Sequence, residues 1–176
     1  MKHVASYQQL AQFGRELLDN PSLEVGLPLI TKYLKEVLNV ERCSIFIYNK
    51  KLSMLWTIVA EGTHKIILSA EEGVVGQCVK SGEPKISNNP YEDENFCKKI
   101  DKKSGFITKN IAVVPILSSD KSVMGALELL NKREPFTQDD LRFMKFFCTY
   151  ISGYLELALL FEDESKFLLK ERYKFL

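Results

Sequence analysis

Asp101, Ser104 and Thr108 fall on one short stretch, with Gly105 between the last two, and offer a carboxylate and two hydroxyls to anything that docks beside them. Small acceptors and donors grouped this way suit recognition of a small polar ligand. They suit capping and turn formation equally well, since Asp and Ser do this routinely. Spacing leaves both readings open. Glu128 stands in the strand-like run Gly125-Ala126-Leu127-Glu128-Leu129-Leu130, where every other residue is apolar or small. A carboxyl facing a core must be paired, protonated or ligand-bound. Facing water, as alternation with Leu127 and Leu129 permits, it says nothing.

Catalytic motifs of higher specificity are missing from the sequence: it has no HExxH, no phosphate-binding P-loop and no nucleophile elbow. Cys43, Cys78, Cys97 and Cys148 are scattered without a CxxC pair, which argues against zinc or iron–sulfur chemistry. Cys43 and Cys148 sit in apolar runs and read as small buried residues. His3 and His64 are the two histidines, and His64 reads as an exposed strand-end residue rather than a haem ligand. The expectation is no catalytic residue, no metal site and no cofactor.

Charge and length narrow the partners. Lys+Arg 24 against Asp+Glu 23 leaves a formal charge of +1, too little field to hold nucleic acid or an anionic membrane. No window approaches the roughly 18–20 apolar residues of a membrane span, and no secretory leader opens the chain. We expect a cytoplasmic protein with reduced thiols, no nucleic-acid partner and no membrane contact. At 176 residues and 45% hydrophobic it can bury one real core.

The elements that must position these groups follow from periodicity. Leu10, Phe13, Leu17 and Leu18 give a first helix over residues 4–19. Asn20 and Pro21 are suited to cap and open a second, which carries Leu23, Leu27, Ile30, Leu34 and Leu38 on one face. Residues 43–48 and 52–60 form a hairpin, 64–68 a third strand, 71–80 a short helix and 84–87 an edge strand. The polar stretch 88–105 is long for a loop, and residues 92–103 are its candidate helix. A second hairpin spans residues 109–117 and 122–130, and a last helix starts near Thr137. Hairpin-joined strands with helices to one side predict α+β, with an antiparallel sheet buried on one face. Ser44, Phe46 and Tyr48 would point one way and Ile45 and Ile47 the other.

The last helix runs long. Phe147, Tyr154, Phe161, Leu168 and Phe175 recur every seven residues, with Ile151 and Ala158 between them. That spacing keeps one apolar stripe toward a partner helix, so residues 161–176 read as a linker or signalling helix and the protein as a homodimer. Residues 1–20 read as the N-terminal helix and 21–160 as the domain proper.

The stretches Gly73-Val74-Val75-Gly76 and Ser81-Gly82-Glu83-Pro84 resemble the helix-and-turn signature of GAF domains. Residues 91–117, with Phe96, Ile100-Asp101, Ser104-Gly105-Phe106-Ile107-Thr108 and Val114-Pro115-Ile116, resemble the GAF domains of cyclic-nucleotide phosphodiesterases and related bacterial adenylyl cyclases. Asn131-Lys132, Phe136, Asp139 and Asp140 continue that pattern, with Asp140 in place of a Glu. The resemblance covers about residues 22–154. It implies a six-stranded antiparallel sheet with the first, second and final helices on one face and a ligand pocket on the other.

It also implies pocket positions at Ser44, Ala60, Glu61, Val74, Val75, Cys97, Asp101, Ser104, Thr108 and Glu128, and a small-molecule ligand such as cyclic AMP or cyclic GMP. Ala60 is small where a binder has an aromatic ring, Glu61 lengthens an Asp, and Cys97 replaces a tyrosine. Losing a base stack costs about 1–3 kcal/mol. The Asn131, Lys132, Phe136 and Asp139 motif would brace the pocket, through a Lys132–Asp139 salt bridge. The function implied is a ligand-sensing regulatory domain of a larger signalling protein, with a ligand-free dimerisation module as the alternative. The GAF-fold reductase of free methionine sulfoxide is a remote one, because Val75 occupies its cysteine position. A bilin photosensor would want a Cys-His pair, but Val79 follows Cys78 and Lys98 follows Cys97.

Overall fold

In the computed structural model, residues 7–20, 22–60 and 66–161 are described. The sheet has six strands in the order β3-β2-β1-β6-β5-β4, every neighbouring pair antiparallel. The strands are β1 Val40–Asn49, β2 Met54–Ala60, β3 Ile67–Ser69, β4 Lys85–Ser87, β5 Ile111–Leu117 and β6 Val123–Lys132. The helices are α1 Tyr7–Asp19, α2 Leu23–Leu38, α3 Gly73–Ser81, α4 Lys98–Ser104 and α5 Gln138–Phe161. This is the α+β architecture that the resemblance implied.

One sheet face carries α1, α2 and α5. Leu23, Leu27, Ile30, Leu34 and Leu38 of α2 meet Cys43 and Ile45 of β1, Leu127 and Leu129 of β6, and Phe147 and Ile151 of α5. The apolar stripe read in α2 is therefore buried along its whole length. Leu18, however, is exposed: it lies one residue, or about 100°, around α1 from Leu17. Ser22, not Asn20, occupies the N-cap of α2. The Asn20 amide instead donates to the Glu16 carbonyl at 2.7 Å and closes α1.

The expectation of one buried face fails. Phe46, Val113 and Ala126 on the second face are covered by Val74, Val75, Cys78 and Val79 of α3. The signal for this was β5, whose apolar run is buried at all but its last residue. Continuous apolar strands, rather than alternating ones, mark a sheet covered on both sides.

The segment expected as a helix over residues 92–103 divides into a 3-10 turn at Pro90–Glu92 and the short α4. Asp93 is the reason. Its side chain accepts the Asn95 N–H at 2.9 Å, a local bond that competes with helix formation. The seven-residue stripe packs inward at Phe147, Ile151 and Ala158. Residues 162–176, where the stripe was read to continue, lie outside the described residues, as do His3 and His64.

Candidate ligand-binding site

Between the second sheet face, α3 and the 89–106 segment lies a cavity of about 40 Å³. β1 contributes Arg42 and Ser44, and β6 contributes Glu128 and Leu130. These residues reach the same side because residues two apart on a strand share a face. Helix α3 adds Gly73, Val74 and Val75, while Phe96, Cys97, Ile100, Asp101, Ser104 and Phe106 form the lid. Thr108 sits where the lid rejoins the sheet. Ser44, Val74, Val75, Cys97, Asp101, Ser104, Thr108 and Glu128 are thus brought together. Ala60 pairs with Ser44 in the β1–β2 ladder; Glu61 lies outside the described residues.

Two anchors hold the lid at its ends. Asn88 exchanges two hydrogen bonds with the Phe136 backbone, at 2.8 and 3.1 Å. At the other end the Asn131 side chain accepts the Lys109 N–H at 2.7 Å and donates to the Ile107 carbonyl at 2.9 Å. Asn131 holds a left-handed backbone, φ 57°, which an Asn tolerates better than most residues. Asn110 and Lys132 exchange another pair, at 2.8 and 2.9 Å.

Asp101 latches the lid shut. Its Oδ2 accepts the Tyr91 hydroxyl at 2.9 Å and the Thr108 N–H at 2.7 Å, and its Oδ1 accepts the Thr108 hydroxyl at 2.8 Å. The Ser104 hydroxyl donates to the Ile100 carbonyl at 3.0 Å and accepts the Phe106 N–H at 3.3 Å. In this arrangement Asp101, Ser104 and Thr108 do the work of turn and cap.

Glu128 differs from them. It is 8% exposed, on the covered face, and pairs across the sheet with Ser44. Burial, and then the Asp101 carboxylate, push its pKa up to about 7, while the Ser44 hydroxyl bond pulls the other way. The residue that alternation left open to water is therefore a core acid. Burial also raises the Cys78 thiol to about 12, so it stays protonated and inert near neutrality.

Arg42, Phe96, Ile100 and Phe106 line the cavity without having been read as site residues. Arg42 lies 3.8 Å over the Phe106 ring. Its place two residues before Ser44 on one strand was the available signal. Tyr91, the partner of Asp101, lay in a stretch whose spacing has no regular period, so nothing local pointed to it. The bracing motif differs in one contact: Lys132 pairs with Asp140 at 2.8 Å, not with Asp139. Among the described residues no group of three or more His, Cys, Asp or Glu could hold a metal ion, and no helix is long and apolar enough to cross a membrane.

This sheet, with helices on one face and a lidded cavity on the other, defines a class, and the sequence comparison agrees with it. A family model described as the GAF domain matches residues 22–155, and the chain belongs to that family. It is 24% identical over 181 residues to a probable 3′,5′-cyclic phosphodiesterase, pde-5, of Caenorhabditis elegans, covering 92% of this chain and 25% of that protein. It is 27% identical over 146 residues to the dual 3′,5′-cyclic-AMP and -GMP phosphodiesterase 11A of Takifugu rubripes, covering 74% of this chain and 16% of that one. The chain thus spans a quarter or less of these relatives. Among solved structures, the GAF domain of an Acinetobacter phosphoenolpyruvate-protein phosphotransferase superposes with a TM-score of 0.73 at 22% identity, over 88% of this chain and 97% of that one.

Proposed function

We propose that this GAF domain is a ligand-sensing regulatory module of a larger signalling protein, without turnover of its own. In this reading the lidded cavity takes a small polar molecule, and movement of the lid reaches an output domain through α5. The observation that carries it is Glu128, a carboxyl buried to 8% exposure against a cavity. A purely structural domain gains nothing from an acid there, since an apolar residue would cost no desolvation. A space of about 40 Å³ holds only a few waters, whereas ligand pockets run to roughly 300 Å³ or more. A nucleotide-sized ligand therefore requires the lid to swing outward between its Asn88 and Asn131 anchors. The β5–β6 turn touches α5 directly: Glu156 accepts the Ser119 N–H at 3.0 Å and its hydroxyl at 2.8 Å. That contact offers a route from sheet to helix.

Cyclic AMP and cyclic GMP are the first ligands to try, because the relatives' names carry them. Mass spectrometry of the purified protein, followed by calorimetry with both nucleotides, tests the reading. A bound small molecule, or saturable binding that Glu128→Ala weakens about 10- to 150-fold, supports it. Absence of any ligand, with no heat at millimolar nucleotide or extracted metabolites, would overturn it.

A second reading, a dimerisation module that takes no ligand, draws on two observations. Asp101, Ser104 and Thr108 already satisfy one another and the neighbouring backbone. Phe146 and Leu157, with the part-exposed Tyr150 whose ring packs beside Phe13 of α1, form an exposed apolar stripe on α5. Light scattering across micromolar concentrations, before and after removal of the residues beyond Glu162, decides whether that stripe and the C-terminal helix join two copies.

A further inference from the structure

The polar groups around the cavity are mostly acceptors. Asp101 comes from the lid and Glu128 from the sheet, with the Ser44 and Thr108 hydroxyls beside them. Both oxygens of Asp101 are occupied by Tyr91 and Thr108. Glu128 has, among the described residues, the Ser44 hydroxyl as its partner. A carboxylate has about four acceptor positions, so most of its capacity is left for whatever enters the cavity.

Among the described residues the lining holds one cation, Arg42, and its guanidinium is stacked on Phe106. An anionic group placed beside Glu128 would thus meet two carboxylates, while Arg42, the one lining cation among the described residues, is stacked on the Phe106 ring. Apart from Ser104, whose hydroxyl donates to the Ile100 carbonyl, the remaining wall is largely apolar or aromatic, with Val74 and Val75 on one side and Phe96 and Ile100 on the other. Aromatic faces attract cations, and apolar walls take an organic body.

We propose that the cavity, with its lid swung outward, selects a small organic cation of the amine or amidine type, its N–H groups held by the Glu128 carboxylate and its body lying against Phe96 and α3. This rests on the reading that the cavity is a ligand site, and names the chemistry of its ligand. It implies a proton balance. A cation binds the ionised carboxyl, so each protein that carries its proton on Glu128 releases it to buffer on binding. With that group titrating at about 7, the ionised fraction rises about tenfold from pH 6 to pH 8, and affinity for the cation rises with it. The other charged or titratable groups facing the cavity are Asp101 and Cys97 from the lid side and Arg42 from β1; α3 and β5 present Val74, Val75 and Ile111.

The test uses three probes of nearly one shape and different charge: benzamidinium, benzamide and benzoate, with cyclic AMP and cyclic GMP alongside. Backbone amide shifts of the full chain at Val74, Val75, Ile100 and Glu128 report entry, and calorimetry in buffers of different ionisation heat reports proton release. At pH 8 benzamidinium should bind at least about tenfold tighter than benzoate, and its affinity should fall about tenfold at pH 6. Glu128→Gln, which keeps the shape, should bring benzamidinium and benzamide level and remove the proton release. Ser44→Ala should keep the charge preference, which separates loss of the acid from loss of the fold. Tighter binding of benzoate or of either nucleotide would overturn the ligand class and leave the cavity as a ligand site. If none of the five moves these amides at millimolar concentration, the class and the sensing reading fall together.

Discussion

Lys132 reaches past Asp139 and closes at 2.8 Å on Asp140, whose side chain is 0% exposed. Asp140 is the third residue of α5, where its carboxylate also accepts the Thr137 N–H at 2.8 Å and the Thr137 hydroxyl at 2.9 Å. The reciprocal bond, from the Asp140 N–H to the Thr137 hydroxyl, completes a capping box. Burial alone would raise this carboxyl; the bonds from Lys132 and Thr137 outweigh it, and the pKa lies below the usual value. The pair therefore stabilises the fold above the unfolded-state pKa and is lost as pH falls through the folded one.

Removing the lysine leaves a buried carboxylate without its charge partner. Lys132→Ala should lower stability by about 3 kcal/mol, within the range for broken buried pairs. Asp139 pairs with Arg142 at the surface, so Asp139→Ala should cost less than about 1 kcal/mol. Urea denaturation of both variants checks the order, and equal losses would contradict the contact.

Glu128 should give the domain an opposite pH response. Its folded pKa of about 7 lies above the ordinary value of 4.5, so the folded state holds the proton more tightly than the unfolded chain. Its contribution is full below the unfolded pKa and is lost as pH rises through about 7. The loss is on the order of 3 kcal/mol or slightly more. Glu128→Gln should be more stable than wild type at pH 8, and should flatten the stability profile between pH 5 and pH 7. Thermal melts across that window read both effects.

The Asp101 latch should govern lid motion. Asp101→Ala removes the acceptor for Tyr91 and for the Thr108 N–H and hydroxyl, leaving a buried N–H unsatisfied, at about 2–4 kcal/mol. Hydrogen exchange should quicken across residues 90–106 more than in α2 or β1. Tyr91→Phe removes only one of the three bonds to Asp101 and should quicken exchange in the lid less than Asp101→Ala does. Exchange that quickens evenly over the whole chain would mean that Asp101 supports the fold at large rather than the lid.

Two glycines separate packing from propensity. A Cβ on Gly26 would fall on the Tyr154 hydroxyl. That hydroxyl shares its one proton between the carbonyls of Asn20 at 3.0 Å and Ser22 at 2.9 Å, tying α5 to the α1–α2 connection. Gly26→Ala should cost about 2 kcal/mol or more by overpacking. A Cβ on Gly153 meets nothing within 4 Å, so Gly153→Ala should stabilise α5 by up to about 1 kcal/mol. Denaturant midpoints with unchanged slopes would confirm both signs.

The sequence by itself determined the elements whose period is strong and the order in which they come. The α2 stripe from Leu23 to Leu38, the two hairpins and the Thr137 start of α5 were legible because each is written in residues a few positions apart. The family pattern was legible for the same reason, and it located eight lining residues of the cavity. Tertiary structure alone decided which side of β6 is dry. Alternation says that Glu128 opposes Leu127 and Leu129, but only the arrival of α3 and the lid over that face makes it a buried acid.

The choice between Asp139 and Asp140 was tertiary as well. Adjacent helical residues point about 100° apart, and only the docking of α5 on the sheet shows which one turns inward to Lys132. The division of residues 90–104 into a turn and a short helix combines a local bond, Asp93 to Asn95, with the contacts of Asp101 to Tyr91 and Thr108 that form as the lid closes. A chain specifies its local periods by neighbours in sequence, but burial and pairing are set by elements that meet only after it folds.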